Sequence, residues 1–410
     1  LAPAATADAA AMAARWGGPV AGFDALTDEA MRGAALVVDA VFGTGLRHDI
    51  AAGIGEALVK ARDAGALLVA VDILSGLDAD TGAVRAAGAF PERPAALTVT
   101  FQATKLGHHL GRGGEVSGPV AVVDIGLARE CAAVTVAVEA AEVSADRLRK
   151  GAGHKFTHGH VLVLAGGSGQ GGAARLAARA ALRAGAGLVT LACPAAALAE
   201  NAARLDAVML RGIEDGAGLG LALQDRRIGV VCLGPGLGVV RAGEMLGALG
   251  GDHPPYAVLD ADALTALADV PFPVALRGRA VLTPHMGEFA RVWPDLAGGA
   301  SKVEAARAAA ARVGAVVLLK GADTVIADPD GRCVLHSARG ELAAPWLATA
   351  GAGDVLAGII AGLMARGFAP FEAAEAGAWL HAAAARRFGA GLIAEDLADQ
   401  LPGVFRDLGL

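Results

Sequence analysis

The sequence predicts an α/β protein with two domains, each a largely parallel sheet between two layers of helices. Short apolar runs recur along the chain, each ends in a turn rich in glycine or aspartate, and segments with helical spacing follow the turns. The chain also combines 58 glycines with only 4% aromatic residues, and small residues let helices pack closely on a sheet. At 410 residues it is too long for one ordinary core.

The first half is predicted to contain a parallel sheet that closes near Leu127. Its predicted elements are strands over Ala35–Val41, Leu67–Ile73, Leu97–Phe101 and Val120–Ile125 and a helix over Ala52–Ala64. The phrase VSADRLRK, residues 143–150, is typical of a short capped helix that leads into a second domain. We therefore predict a first domain over residues 1–140, a linker over 141–150 and a second domain over 151–410.

The second half restarts the same pattern. Its predicted strands are His160–Ala165, Leu188–Ala192, Gly229–Leu233, Ala257–Leu259, Ala280–Leu282 and Val316–Leu319. Helices are predicted over Ala173–Ala184, after a glycine loop at residues 166–172, and over Val355–Ala365. Sheets of this kind place their chemistry at the carboxyl ends of the strands, so the loops there are the first place to look for a site.

Composition excludes several functions. A net charge of −7 without a basic run disfavours nucleic-acid binding. Because no uncharged apolar run reaches ~18 residues, we expect neither a membrane span nor a signal peptide. The chain begins at Leu1 in an Ala-rich stretch, and we expect its natural start to be missing. No C-x-x-C pair occurs, so reduced, packed thiols of a cytoplasmic protein are expected at Cys131, Cys193, Cys232 and Cys333.

The sharpest motif is a glycine-rich turn that opens a long apolar helix. Gly351 and Gly353 let backbone amides turn inward, and the helix N-terminus adds partial positive charge. Such a turn can stabilise a phosphoryl group in transfer, while Asp354 can take a proton from a substrate hydroxyl. On the motif alone a second interpretation stays open, in which Asp354 only caps the helix and the glycines only allow close packing.

Other strand-end loops supply matching groups. The loop Lys320–Thr324 offers a cation, a glycine and a hydroxyl, which suit a nucleotide phosphate. His285 and Glu288 place an imidazole and a carboxylate in one loop. Asp260 and Asp262 follow another strand, where they either order Mg²⁺ or water or cap the next helix.

The glycine loop at residues 166–172 fits G-x-G-x-x-G between a strand and a helix. The next strand ends in Cys193-Pro194, however, without the acid that binds a ribose hydroxyl, and no Lys-Ser or Lys-Thr pair follows. We interpret it as a loop that binds phosphate or backbone, not as a dehydrogenase site. Nearby histidines leave a metal site open as a minor alternative, at His154, His158 and His160.

Together these phrases resemble the ADP-dependent NAD(P)H-hydrate dehydratase family of the ribokinase-like superfamily. The resemblance covers residues 150–410 through GGAARLAARAALRAGAGLVT, LGPGLG, LDADAL, LTPHMGE, LLKGADTVIADPDG and LATAGAGDVLAGIIAGL. It implies that the enzyme uses ADP to phosphorylate the added hydroxyl of S-NADHX or S-NADPHX, so that phosphate leaves and NADH or NADPH returns. It also implies Mg²⁺ as the ion.

The same resemblance implies a role for particular residues. Asp354 would be the base and a substrate contact. The nucleotide would be held by Lys320, Gly321, Ala322, Asp323, Thr324 and Gly353. The hydrate would contact Ala173, Gly236 and His285.

In the first half, Asp39 and Asp72 end two predicted buried strands and would face one crevice. A buried carboxylate must be paired, hydrogen-bonded or metal-bound. Oxygen ligands from Asp39 and Ser75 would suit a monovalent cation, and an alternative remains in which loop amides satisfy these carboxylates.

These phrases, with TFQATKLGHHLGRGGEVSG, resemble the NAD(P)H-hydrate epimerase family, which has a Rossmann-like fold and interconverts R and S hydrates. The resemblance runs from about residue 9 to 127 and implies K⁺ at Asp39 and Ser75. The implied substrate contacts are Gly43, Thr44, Gly45, Leu46, Arg47, His48, Asp49 and Asp72.

The sequence departs from both families at a few positions. The epimerase family's Asn-Asn-Gly-Gly-Asp-Gly loop is absent, and Leu74 and Leu106 stand where that family has Pro. Met286 replaces a Pro of the dehydratase family. We therefore predict weak or absent epimerase activity for this chain.

Two other functions compete with hydrate repair. One is a ribokinase-like kinase of a vitamin-precursor alcohol, which shares the glycine turn and Asp354 but leaves the Lys320 and His285 loops unexplained. The other is a first domain that only binds, as a scaffold. The expected partners are the small molecules NADHX and NADPHX, with no nucleic acid or membrane, and homo-oligomers are possible.

Overall fold

The computed structural model describes residues 7–22, 25–127, 138–251, 253–299 and 301–410. The chain divides into two compact units, residues 1–133 and 134–410, which are described separately below. No described helix has the length and apolar character that a membrane crossing requires. Cys193, Cys232 and Cys333 are free and buried, as predicted, and Cys131 lies outside the described residues.

The N-terminal unit contains a four-stranded parallel sheet in the order β1-β2-β3-β4. Its strands are β1 (Leu36–Asp39), β2 (Leu67–Val71), β3 (Leu97–Phe101) and β4 (Val120–Val123). Its helices are α1 (Ala7–Arg15), α2 (Asp28–Gly33), α3 (Ala52–Asp63), α4 (Gly113–Val116) and the 3₁₀ turn Leu106–His108. Apolar side chains of α3, β2 and the loop after β2 form the main core of this unit.

The C-terminal unit contains a ten-stranded sheet in the order β5-β14-β13-β12-β11-β10-β9-β6-β7-β8. Its first strands are β5 (Glu139–Ala140), β6 (His160–Leu164), β7 (Leu188–Cys193), β8 (Met209–Gly212) and β9 (Ile228–Leu233). The others are β10 (Tyr256–Leu259), β11 (Ala280–Leu282), β12 (Val316–Leu319), β13 (Asp323–Ala327) and β14 (Cys333–Ser337). Pairing is parallel except where β13 runs antiparallel to both β12 and β14.

Helices cover this sheet. The first are α5 (Ala145–Leu148), α6 (Gly172–Arg183), α7 (Leu198–Ala202), α8 (Gly216–Ala222), α9 (Val239–Ala248) and α10 (Asp262–Ala266). They are followed by α11 (Met286–Val292), α12 (Pro294–Ala297), α13 (Lys302–Val313), α14 (Ala352–Ala365), α15 (Pro370–Phe388) and α16 (Ala394–Asp407). Short 3₁₀ turns are Lys155–His158, Ala195–Ala197, Val274–Leu276, Gly340–Leu342 and Pro345–Leu347.

Close packing of α14 on α6 depends on small residues. A Cβ atom added to Gly358 would lie 2.2 Å from the carbonyl oxygen of Ala177, and one added to Gly362 would lie 2.5 Å from that of Ala181. The helices therefore approach until their backbones touch, which packs the middle and end of α14 directly on α6.

The predicted strands and helices are confirmed to within a few residues, but three details differ. The predicted Lys320–Thr324 loop is shorter, because Asp323 and Thr324 already belong to β13 and pair with β14. The short helix predicted around residue 145 is present, but the Ser144 side chain makes no capping hydrogen bond. Leu36 and Val38 on β1 are more than half exposed, whereas their apolar run predicted burial.

Residues 138–150 pack on the C-terminal unit. Strand β5 pairs with β14 in parallel, and Leu148 is buried. The Arg366 side chain donates a hydrogen bond of 2.5 Å to the Leu148 carbonyl oxygen. The end of the range predicted as the first domain, residues 139–140, thus pairs with the second sheet, and the predicted domain limits stay a prediction.

Candidate active sites of the two units

In the C-terminal unit, the carboxyl ends of β10, β11 and β12 meet the start of α14. Asp260 follows β10, Thr283 follows β11 and Lys320 follows β12. Gly351, with φ of +89°, makes the left-handed turn that starts α14, and Asp354 lies in the first turn of that helix. A left-handed residue at this point favours glycine, which explains the spacing of the motif.

Lys320 lies between two carboxylates and the glycine turn. Its Nζ atom is 2.8 Å from Oδ1 of Asp260 and 3.6 Å from Oε2 of Glu288. A Cβ atom on Gly353 would be 3.3 Å from this Nζ. The glycine turn and the lysine loop therefore form one site, although Gly353 and Lys320 are 33 residues apart in sequence.

Asp260 is a buried carboxylate that contacts both Lys320 and Thr283. It is 1% exposed, and its Oδ1 atom also accepts a hydrogen bond of 2.8 Å from the Thr283 hydroxyl. A buried carboxylate needs such partners, and here they are an ammonium and a hydroxyl. Asp260 is thus engaged in the site and does not cap the following helix through its side chain.

Asp354 is the least satisfied carboxylate of this group. Its side chain has no hydrogen-bond partner within the described residues. Burial, together with the negative charge of Asp260, raises the pKa of Asp354 to about 7, although Lys320 lowers it and Glu288 and Asp262 raise it further. A carboxylate that titrates near neutral pH can accept a proton from an alcohol.

His285 caps α11 with its imidazole. Its Nδ1 atom accepts hydrogen bonds from the amides of Gly287 at 2.9 Å and Glu288 at 3.2 Å. The Glu288 carboxylate in turn accepts a bond of 2.8 Å from the His285 amide. Because Nδ1 is an acceptor, the neutral ring carries its proton on Nε2, which lies on a side chain that is 59% exposed and can donate to a ligand.

The structure brings together two other residues predicted to contact the hydrate. A Cβ atom on Gly236, where φ is +60°, would lie 3.3 Å from the Ala173 Cβ atom at the start of α6. The Asp262 carboxylate accepts a hydrogen bond of 2.8 Å from the Gly238 amide. Asp262 therefore holds the loop after β9, and the glycine loop at 166–172 packs against the same loop.

Sequence reasoning missed Lys302, at the start of α13. Its Nζ atom lies 2.8 Å from Oδ1 of Asp323 and donates 2.6 Å to the Asp323 carbonyl oxygen. Its 18-residue separation from Lys320 gave no motif. The signal in the sequence was only that lysine is rare in this chain and that Lys302 stands at a helix start.

In the N-terminal unit, Asp39 and Ser75 contact each other. The Ser75 hydroxyl donates 2.6 Å to Oδ1 of Asp39, and the Ser75 amide donates 2.7 Å to Oδ2. The Phe42 amide donates 2.9 Å to the Ser75 hydroxyl oxygen. Burial raises the pKa of Asp39, and within the described residues no basic side chain pairs with it. A buried carboxylate beside a hydroxyl and the Phe42 carbonyl is an oxygen donor set that fits K⁺.

Asp72 is held by an amide and an ammonium. Its Oδ2 atom accepts 3.1 Å from the Thr44 amide, and Oδ1 lies 3.2 Å from the Lys105 Nζ atom. Burial acts to raise the pKa of Asp72, but these partners prevail and lower it. The backbone of Asp72 has a φ of +68°, which is rare for a residue with a side chain and common at functional sites.

His108, which sequence reasoning also missed, joins Asp72 to the Lys105 loop. Its Nδ1 atom accepts 3.0 Å from the Lys105 amide, so Nε2 donates 2.8 Å to the Asp72 carbonyl oxygen. Burial lowers the pKa of His108 to about 4, so the ring stays neutral. His108 is a positioning group because it contacts backbone atoms of both residues.

The loop predicted to contact substrate follows β1. Gly43 packs on the Asp72 carboxylate, and Gly45, Arg47 and Asp49 are at least partly exposed. Leu46 is 5% exposed and packs with Ile50 and Ile54, so its side chain faces a core. The His48 ring packs edge-on against Phe42.

No group of three or more His, Cys, Asp or Glu side chains arranged to hold a metal ion occurs in the part of the chain that is described. His154 is exposed, His158 is half-buried, and His160 is buried and bonded to the Thr190 hydroxyl at 2.8 Å. These histidines therefore do not form a metal cluster.

Comparisons with known proteins agree with the geometry. A family profile described as NAD(P)H-hydrate dehydratase matches residues 161–402, and one described as YjeF-related protein N-terminus matches residues 3–107. A bifunctional NAD(P)H-hydrate repair enzyme from Moorella thermoacetica is 40% identical over 93% of this chain and 74% of its own length. The Escherichia coli enzyme of that name is 35% identical over 88% of this chain and 70% of its own length.

Solved structures resemble the larger unit. A ribokinase-like superfamily protein from Enterococcus faecalis is 25% identical with a TM-score of 0.56, covering 65% of this chain and 95% of its own. An ADP/ATP-dependent NAD(P)H-hydrate dehydratase from Bacillus subtilis, co-crystallised with ATP and Mg²⁺, is 28% identical with a TM-score of 0.52, covering 66% and 99%.

The glycine turn, the lysine loop and the sheet that holds them define an enzyme of the ribokinase-like class. The two family profiles together match residues in both units of the chain. The chain belongs to the family of bifunctional NAD(P)H-hydrate repair enzymes.

Proposed function

We propose that the C-terminal unit converts S-NADHX and S-NADPHX to NADH and NADPH with ADP as phosphoryl donor. The observation that carries the proposal is the Asp354 carboxylate in the first turn of α14, close to the Lys320 ammonium and with a pKa of about 7. A base with this pKa is ionised for a large fraction of the time at neutral pH and can accept a proton from the added hydroxyl.

The proposed reaction has two stages. Asp354 takes the hydroxyl proton while the oxygen attacks the terminal phosphorus of ADP, and the bond from that phosphorus to the bridging oxygen breaks to release AMP. Phosphate then leaves the ring carbon with the bonding electrons, and a proton lost from the adjacent carbon restores the double bond. Amides at the start of α14 and the ammonium of Lys320 would receive the charge on the migrating phosphoryl group.

The remaining predicted residues divide into two groups by position. Lys320, Gly321, Ala322, Asp323, Thr324 and Gly353 form the nucleotide side in this proposal. Ala173, Gly236 and the Nε2 atom of His285 form the hydrate side.

Mg²⁺ fits the oxygen-rich cluster at these strand ends. The Asp260 and Asp262 carboxylates would hold it, because hard cations prefer carboxylate oxygens and both residues follow β10 at this edge of the sheet, which leaves Asp354 free to act as the base. When bound, the ion would neutralise phosphate charge.

The test is to incubate the protein with NADHX and ADP and to follow the recovery of NADH absorbance. Recovery is expected with the unaltered protein and is lost in Asp354→Asn, which should still bind ADP. Asp330→Asn, at an exposed turn, is the matched control and keeps full activity. ATP-dependent phosphorylation of a vitamin-precursor alcohol without action on NADHX would instead favour the competing kinase function, which the sequence relatives support less well.

For the N-terminal unit we propose a hydrate epimerase site centred on Asp72. The ionised carboxylate, the Lys105 ammonium and the loop at residues 43–49 would bind the hydrate, and K⁺ would bind at Asp39 and Ser75. Conversion of R-NADHX to the S form, measured with and without K⁺, tests this proposal. The predicted weakness of this activity stays a prediction, as do a cytoplasmic location, a homo-oligomer and the domain limits 1–140 and 151–410.

A further inference from the structure

The loop between β12 and β13 is fixed by a lysine from outside it. Lys302 Nζ donates to the Asp323 carbonyl oxygen at 2.6 Å and to the Asp323 carboxylate at 2.8 Å, and it lies 3.3 Å from the Lys320 carbonyl oxygen. An ammonium has three N–H donors, so all three are occupied. Lys302 therefore has no donor left for a ligand, unlike Lys320, whose one side-chain hydrogen bond within the described residues is with Asp260.

The two other carbonyl groups of this loop are also occupied. The Gly321 carbonyl oxygen accepts 2.8 Å from the Thr324 hydroxyl, and that of Ala322 accepts 2.7 Å from the Ala338 amide. Every carbonyl from residue 320 to 323 thus has a donor within the protein.

Two of the three amides from residue 320 to 322, in contrast, lack an acceptor within the described residues. The Lys320 amide donates 2.8 Å to the Pro284 carbonyl oxygen. The amides of Gly321 and Ala322 have no acceptor in the described ranges of the chain. Two successive amides without acceptors, in a loop whose carbonyls are all bonded, are a binding arrangement for an anion.

Lys302 and Asp323 form a largely buried ion pair next to the loop backbone. Its side chain is 14% exposed and that of Asp323 is 11% exposed. A Cβ atom on Gly321 would lie 2.7 Å from Lys302 Nζ, so the ammonium rests directly on the loop backbone. Removing one charge of such a pair disturbs the groups that it holds.

We propose that Lys302 is a positioning residue for the donor nucleotide. Lys302 binds the loop carbonyls and so leaves the Gly321 and Ala322 amides free to bind the phosphates of ADP. The inference rests on the proposed dehydratase function. It assigns to Lys302 an effect on nucleotide affinity and none on the affinity for the hydrate, because none of its contacts reaches Ala173, Gly236 or His285.

Steady-state kinetics of Lys302→Met test the proposal. The KM for ADP is expected to rise about tenfold, which corresponds to losing hydrogen bonds from a charged group. The KM for NADHX and the kcat at saturating ADP are expected to stay within about twofold of the unaltered enzyme. Lys302→Arg keeps the charge and is expected to restore most of the ADP affinity.

Arg312→Met, which removes an exposed ion pair on the same helix, is the matched control and leaves both KM values unchanged. Should Lys302→Met not fold, Lys302→Gln removes the charge but keeps a polar side chain, and a rise in its KM for ADP supports the proposal. An unchanged KM for ADP in whichever of these variants folds overturns the inference, including when the melting temperature falls. If the unaltered enzyme does not convert NADHX with ADP, the proposed function itself fails.

Discussion

Asp354 and Asp72 hold comparable places in the two units, yet their environments drive them in opposite directions. Each lies at the carboxyl-end side of a parallel sheet beside a lysine. Asp72 accepts a hydrogen bond from the Thr44 amide and lies beside the Lys105 ammonium, and its pKa is lowered. Asp354 is half-buried near the Asp260, Glu288 and Asp262 carboxylates, of which Asp260 and Glu288 lie beside Lys320, and its pKa is raised to about 7.

A sequence motif identifies each carboxylate, but the groups around it determine its pKa and therefore its chemistry. The lysine of the C-terminal site makes its short contact with Asp260, and among the described residues Asp354 has no hydrogen-bond partner. The lysine of the N-terminal site lies 3.2 Å from Asp72 itself. The first arrangement suits a base that exchanges protons near neutral pH, and the second suits a carboxylate that stays ionised.

The largest expected effect follows removal of the base. Asp354→Asn should lower kcat for ADP-dependent NADH recovery by about 10²–10⁴-fold, the usual contribution of a general base. The same variant should be more stable at pH 8. Because the folded pKa lies above the unfolded value, the unaltered protein loses stability as pH rises from about 4 to 7, and the variant avoids a loss on the order of 2 kcal/mol. Urea unfolding at pH 5 and pH 8 measures this, and equal stability of both proteins at pH 8 contradicts it.

The second effect concerns the partner of Asp72. Lys105→Met should reduce any R-to-S conversion by about 100-fold, because the ammonium holds the carboxylate and keeps its pKa low. Dehydration of S-NADHX by the same variant should be unchanged. A variant with full epimerisation would show that Lys105 only supports the fold.

A smaller effect is expected from Asp260→Asn. Removing this charge should lower the pKa of Asp354 and move the acidic limb of the pH–kcat profile down by about one unit. The facing charged groups that remain are Lys320, Glu288 and Asp262. Thr283→Val, which removes only a hydroxyl next to Asp260, should leave that limb in place.

The smallest effect on catalysis is expected from the contact between α14 and α6, where a substitution should act mainly on stability. Gly358→Ala places a Cβ atom against the Ala177 carbonyl oxygen and should destabilise the protein by about 1–3 kcal/mol. Thermal unfolding measures the change. Gly220→Ala, where an added Cβ atom meets no neighbour within 4 Å, is the control and should leave stability equal or higher.

Sequence patterns predicted the strands, the loops that follow them and the place of Asp354, because apolar runs and glycine turns are local signals. The pairing of Lys320 with Asp260 was not predictable, since it joins residues 60 apart through the sheet. The roles of Lys302 and His108 also escaped: Lys302 belongs to no spaced motif, and His108 lies within a motif but acts through backbone atoms that only the fold brings to it. The hairpin of β13 and β14 was missed because Asp323 looked like part of a loop.

The pH dependence of kcat for ADP-dependent conversion of S-NADHX tests the central claim most directly. If Asp354 is the base, activity should be low at pH 5, rise through a single ionisation near pH 7 and level off above pH 8. Activity that is constant from pH 5 to pH 8 in the unaltered enzyme, with saturating ADP and Mg²⁺, would contradict the role given to this carboxylate.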